Sequence, residues 1–255
     1  MARPFPGTAE ACWDGNPIGP MSDLARISRP RFPNALLVVA KRPAPGRTKT
    51  RLTPPLAPQQ SCALYECFLK DTLDLIRKIP SVQPVVAYLP AHEKAYFNNL
   101  APDFELLEQV GSDLGSRLDH ALTRYLTQGY ERVVIMNSDG PTLPPRYLKM
   151  AFETLEGDAD VVLGPCDDGG YYLIGLKQPA PRLLSDVRMS TSHVTADTLA
   201  LAEEMGLGAT LLPCWYDVDD VDSLARLIRE LHDSPRSLAP HTRAMVKDLL
   251  QSVDF

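Results

Sequence analysis

Four short apolar runs constrain this chain more than anything else in it: ALLVVA (35–40), PVVAYL (84–89), RVVIMN (132–137) and DVVLGP (160–165). Each is too short for a stable helix and apolar on both faces of an extended chain, the pattern of strands covered from both sides. Residues 59–78 put Tyr65, Leu69, Leu73 and Ile76 at helical spacing. SDLGSRLDHALTRYL opens on Ser112 and Asp113 as candidate N-caps and continues with Leu118, Leu122 and Tyr125 or Leu126 on one face. A weaker strand at FELLEQ (104–109), a strand at YYLIGL reached through the turn DDGG, a helix near 193–205, a strand near 209–213 and a helix from about Asp222 to His232 complete the series. Strands alternating with helices imply one α/β domain, Rossmann-like, with a mixed and mostly parallel sheet flanked by helices. In such sheets ligands collect beyond the carboxyl ends of the strands. That rule selects two places, the loop after the first strand and Asp139 after RVVIMN.

The first of these loops, AKRPAPGRTKTRL (40–52), carries Lys41, Arg42, Arg47, Lys49 and Arg51 and no carboxylate. An even spread of the 26 basic residues would put about 1.3 in thirteen positions. The net charge of -6 argues against a general affinity for nucleic acid or an anionic membrane, so the cluster calls for a local anion. It is not a Walker A loop, because Arg47 and Thr48 stand between Gly46 and Lys49 and no second Gly lies five positions upstream. What remains is a proline-stiffened loop presenting Arg47, Lys49 and Arg51 at alternate positions, suited to a di- or triphosphate. A solvated basic surface is the alternative, and an Ala pair at Lys49 and Arg51 separates the two: lost nucleotide affinity with unchanged stability of the free protein points to phosphate.

Asp139 ends a strand where a carboxylate would repel that phosphate unless a divalent cation lay between them. Capping of the next helix is available through Thr142 and the Pro144-Pro145 start and does not require Asp139. YDVDDVD (216–222) offers the second carboxylate. With Asp222 as cap of the last helix and Asp220 on its approach, Asp217 and Asp219 are left to face the site. Two such carboxylates without their cation would repel each other, so Asp139→Asn is expected to leave the free fold intact or more stable.

AKRPAPGRTKTRL, GSDLGSRL, NSDGPTLPP, LGPCDDGGYYLIGL and YDVDDVDSL, in that order, resemble a bacterial glycosyltransferase-like family related to the deazaflavin-coenzyme (2-phospholactate) guanylyltransferases. That family lies in the nucleotide-diphospho-sugar transferase superfamily with the GT-A fold, and the likeness runs from residue 35 to about 232. It implies a nucleotide-sugar glycosyltransferase, or alternatively a nucleotidyltransferase that takes NMP from an NTP, with Mg²⁺ or Mn²⁺ as cofactor and a small-molecule acceptor. By resemblance, Asp139 and Asp219 are the metal positions, and Lys41, Arg47, Lys49 and Arg51 meet nucleotide phosphates. Gly111, Asp113 and Gly115 lie beside the base or ribose. Asp168, with Asp139 a catalytic position, and Gly169, Gly170, Tyr171, Ser190 and Thr191 border the acceptor. The chain departs from the family pattern at Gly140, where a small Cys or Ser is frequent, and at Met189, where an aromatic is frequent.

The remaining signals are organisational. Residues 1–33 contain six prolines and no periodic apolar face, which reads as a flexible leader, with Met1 or Met21 as the natural start; deleting 1–30 is expected to leave the domain folded. Residues 34–235 form the transferase domain and 236–255 a short packing helix, a candidate homodimer contact. Five cysteines with no C-x-x-C spacing indicate neither a disulfide framework nor a zinc site, and Cys166 reads as a packing residue. No apolar run spans a bilayer, so a cytoplasmic protein without a membrane partner is expected. Ser138 is not in a nucleophile elbow, and the scattered histidines offer no i, i+4 metal pair. Of Tyr171 and Tyr172, one faces the core and the other the cleft. A non-catalytic nucleotide-binding regulatory module is the reading from another class, disfavoured by the aspartate pair.

Overall fold

The computed structural model describes residues 30–252. The expected leader falls almost wholly on residues 1–29, outside this range, as do Cys12 and both candidate start methionines. The four apolar runs are strands: β1 (Asn34–Lys41), β2 (Val82–Leu89), β4 (Arg132–Met136) and β5 (Val161–Pro165). With β3 (Glu105–Glu108), β6 (Tyr171–Leu176) and β7 (Ala209–Leu211) they form a seven-stranded sheet in the order β3-β2-β1-β4-β6-β5-β7. All pairings are parallel except those of β6, which runs antiparallel to both β4 and β5. This is the mixed, mostly parallel α/β sheet read from the sequence.

Strand parity decides which helices cover which face. Leu36 and Val38 of β1, with Val86, Val134 and Val162, face a layer that holds α1 (Pro58–Arg77), α2 (Lys94–Leu100) and α4 (Pro145–Glu156). Ala35, Leu37, Val85, Val133 and Leu163 face α3 (Leu114–Thr127), α5 (Arg182–Ser185) and α6 (Val194–Glu204). A third cluster joins α1 to α7 (Val221–Asp233) and α8 (Pro240–Ser252) through Phe68, Leu224, Leu227 and Val246. The tail is therefore a helix packed on α1. Because β2 and β4 lie on opposite sides of β1, the chain reverses direction across the sheet there. The reversal opens a crevice at the carboxyl ends of β1 and β4, where the basic loop and Asp139 begin.

Several local expectations are revised. The cap of α7 is Asp220, whose carboxylate accepts from Ser223 N at 2.9 Å, while Asp222 stands in the first turn. Ser223 returns a bond to the backbone N–H of Asp220 at 3.0 Å, completing a capping box. Asp220→Ala is therefore expected to cost about 1 kcal/mol in urea unfolding, and Asp222→Ala clearly less. Thr142 does not cap α4. That helix starts on Pro145 without a side-chain cap, and Thr142 turns to Glu230 instead. The helices α2 and α5 had no sequence signal. Strands β3 and β7, the two edges of the sheet, are shorter than their apolar runs.

Candidate active site

The loop after β1 ends in a 3-10 turn, Thr50–Leu52, that seats Leu52 in the core. Thr48 is buried and accepts from the Ala44 N–H at 3.0 Å. Lys49 takes a left-handed backbone, φ 49° and ψ 46°, which turns its side chain inward. Its side chain is only 6% exposed and pairs with both Asp139 and Asp219, the latter at 2.6 Å. Burial alone would lower its pKa, but Asp139 and then Asp219 hold the ammonium above the ordinary lysine range. Arg47 and Arg51 remain exposed, and among the described residues neither is held in an ion pair.

On the other side of this cation the carboxylates converge. Asn137 donates to Asp217 Oδ2 at 2.7 Å, and its own oxygen faces the Asp139 N–H at 3.3 Å. The backbone N–H of Val218 donates to the Asp139 carbonyl at 2.9 Å, so the loops after β4 and before α7 run against each other. Burial, and after it the charge of Asp139, pushes the Asp217 carboxyl up to about 7. Its Oδ1 is buried without a hydrogen-bond partner. Ser138 is buried and hydrogen-bonds Tyr65 at 2.8 Å, a structural role. Burial, ahead of the Asp139 charge, raises the Tyr65 phenol to about 12.

Two chambers meet at this point. The basic one, about 310 Å³, is bordered by Lys41, Arg47, Lys49, Arg51 and Tyr65. The larger, about 510 Å³, has Leu114, Leu118 and Ile135 on one side and Asp168, Tyr171 and the 189–192 segment on another. Arg51, Asp139 and Asp219 border both. The structure thus brings together the basic loop, Asp139, Asp219, Asp168, Gly170, Tyr171, Ser190 and Thr191. Gly111, Asp113 and Gly115 border neither chamber. Asp113 caps α3 through Ser116 N at 2.8 Å, and a Cβ at Gly115 would overlap the Leu184 carbonyl of α5. Tyr172 is the core-facing member of its pair, donating to Pro213 O at 3.0 Å. Tyr171 points to the other face, its hydroxyl 3.7 Å from Met189 Sδ.

The DDGG turn is tied to α6. Thr195 donates to Gly170 O at 2.6 Å through its side chain and to Gly169 O at 3.1 Å through its N–H. Gly169 has φ +88°, and a Cβ there would overlap the Ser192 carbonyl. Gly169→Ala is expected to cost about 1–3 kcal/mol and to displace the 189–192 segment; urea unfolding measures the first.

Sequence reasoning missed Asn137, which joins two of the carboxylates. The signal was present: it stands two residues before Asp139, on the same face of the chain leaving β4. It also missed that Lys49 lies between the carboxylates, which corrects the expectation that Lys49 can be removed without effect on the free protein. Lys49→Ala would leave Asp139 and Asp219 facing each other unpaired.

Residues 72–191 match the profile of DUF2064, a family described as uncharacterized protein conserved in bacteria. The chain is 31% identical to a protein from Desulfovibrio desulfuricans G20 provisionally assigned as a nucleotide-diphospho-sugar transferase, over 88% of this chain and 99% of that one, with a TM-score of 0.80. The chain belongs to this family. The chain shares its fold with a cytidylyltransferase from Leptospira borgpetersenii serovar Hardjo-bovis (TM-score 0.54, 13% identity, 87% of this chain and 97% of that one). A 4-diphosphocytidyl-2C-methyl-D-erythritol synthase has the same fold (TM-score 0.54, 14% identity, 80% and 99%). No curated protein matches the sequence. The fold is thus that of transferases acting on nucleotides, and among the described residues no helix is long and apolar enough to cross a membrane.

Proposed function

We propose that this protein transfers a group from an activated nucleotide, with a nucleotide-diphospho-sugar as donor and a small molecule as acceptor. The observation that carries the reading is the shared wall: a basic chamber and a larger mixed chamber meet at Arg51, Asp139 and Asp219. Phosphates would lie against Arg47 and Arg51, and the sugar and acceptor in the larger chamber beside Asp168 and Tyr171. The assignment of the 31% identical relative supports the glycosyl form.

The acidic residues fit a divalent cation. Lys49 already occupies the position of a cation between Asp139 and Asp219, whose carboxylate oxygens are hard donors. Mg²⁺ or Mn²⁺ held by Asp139 and Asp219 would supply charge neutralisation of the departing phosphate. Lys49, freed from one carboxylate, can then turn its ammonium to phosphate. Asp168 is exposed, with Oδ1 accepting from the Gly170 N–H at 2.9 Å; its other oxygen is available to take the acceptor's proton.

A second reading, nucleotidyl transfer from a nucleoside triphosphate, is favoured by Lys41, Arg47 and Arg51, more cations than a diphosphate alone requires. Product analysis separates the two: nucleoside diphosphate released means glycosyl transfer, pyrophosphate released means nucleotidyl transfer. In either case Arg47→Ala with Arg51→Ala is expected to weaken nucleotide binding by about 3–6 kcal/mol and to leave urea unfolding nearly unchanged. Unchanged affinity in calorimetry would make the loop a solvated surface.

A further inference from the structure

Thr142 and Tyr216 sit on the two loops that carry the carboxylates. Thr142 follows Asp139 by three positions, and Tyr216 immediately precedes Asp217. Both are buried, and both hydroxyls donate to the same atom, Oε2 of Glu230 on α7. Thr142 does so at 2.8 Å and Tyr216 through a shorter bond, with the two hydroxyls 3.5 Å apart. The Tyr216 ring packs against the Arg226 guanidinium, 3.8 Å from its centroid, and Trp215, at 5.7 Å. A Cβ on Gly140 would lie 3.0 Å from the Tyr216 carbonyl oxygen, so the two loops are already near their closest approach. Glu230 itself borders neither chamber.

A hard cation needs its oxygen donors within a few tenths of an ångström of their ideal places. The Val218 to Asp139 backbone bond and the Asn137 to Asp217 side-chain bond hold the loops together beside the carboxylates. The two bonds to Glu230, which borders neither chamber, add a tie from outside the site. We infer that Glu230 is a positioning residue, which sets the spacing of Asp139 against Asp217 and Asp219 by holding Thr142 and Tyr216 on one oxygen. The inference rests on the divalent-cation reading above and extends it to a residue outside the site. Because a single oxygen accepts both bonds, a Gln amide oxygen can replace it, whereas Leu cannot.

The test titrates Mn²⁺ alone into the full chain and follows the free ion by its electron paramagnetic resonance signal. Wild type is expected to bind, Glu230→Gln to stay within about threefold of it, and Glu230→Leu to bind about 10–100-fold more weakly. Tyr216→Phe removes one of the two bonds while keeping the ring and should fall between; it decides the question if Glu230→Leu does not fold. Mn²⁺ affinity unchanged in Tyr216→Phe and Glu230→Leu overturns the inference and leaves the metal reading standing. A Gln variant as weak as Leu also overturns it, since charge and not the shared oxygen would then matter. A wild-type chain that takes up no Mn²⁺ overturns both.

Discussion

Asp139→Asn is expected to lower turnover by about two to three orders of magnitude, in line with the loss of one charge-stabilising group aimed at a departing phosphate. The substitution keeps the shape of the side chain and removes the charge a hard cation requires. Its effect on the free protein differs from the gain in stability that two facing carboxylates would suggest. Lys49 lies between Asp139 and Asp219 and pairs with both, so the Asn variant loses an ion pair along with the repulsion that Asp139 exerts on Asp217. The side chains of Asp139 and Asp219 are 31% and 41% exposed, so solvent screening keeps the stability change small, about 1 kcal/mol of loss. Turnover with and without Mg²⁺, alongside circular dichroism of the free protein, measures both. Undiminished turnover would remove Asp139 from the chemistry.

Asp217→Asn should make the metal-free protein more stable at pH 8, by on the order of 2–4 kcal/mol, with little change at pH 4. The sign follows from the direction of the shift. Burial and the Asp139 charge raise the folded-state pKa to about 7, from an ordinary value of 3.8. A carboxyl raised in this way contributes its full stability below the ordinary value and loses it as pH rises through about 7. Asn cannot ionise, and its side-chain oxygen can keep the Asn137 bond. Added Mn²⁺ should reverse the order at pH 8, because only the wild-type carboxylate is worth ionising beside a cation. Urea unfolding from pH 4 to 8 checks this, and parallel curves for the two proteins would show that Asp217 is ordinarily ionised in the fold.

The sheet was legible because its evidence is local. Each strand run is apolar at both parities, and the helical periods between them fix the alternation. The place of the site followed from topology, since a loop at the end of β1 and an Asp at the end of β4 share one edge once both strands are parallel neighbours. What failed to show was set by partners distant in sequence. The pairing of Lys49 with Asp219 spans 170 residues, and the basic loop read by itself offered only a free lysine. The choice of cap between Asp220 and Asp222 was readable in hindsight, because Ser223 stands three residues after Asp220 and can return its bond, whereas Ala225 after Asp222 cannot. Gly115 owes its identity to α5, a four-residue helix without a sequence signature. Tyr171 and Tyr172 could be told apart only once the pairing of β6 with β5 fixed its face: Tyr172 shares a layer with Tyr147 of α4, and Tyr171 packs towards α3 and α6.

Calorimetry with a panel of nucleoside di- and triphosphates and nucleotide-sugars, each with and without Mg²⁺, decides whether the two chambers form a metal-assisted nucleotide site. At least one nucleotide is expected to bind, its affinity to rise with Mg²⁺, and that rise to vanish in Asp139→Asn while Arg47→Ala with Arg51→Ala lowers affinity under both conditions. Binding of the same strength with and without Mg²⁺ in wild type and in Asp139→Asn, or no nucleotide bound at all, would contradict it.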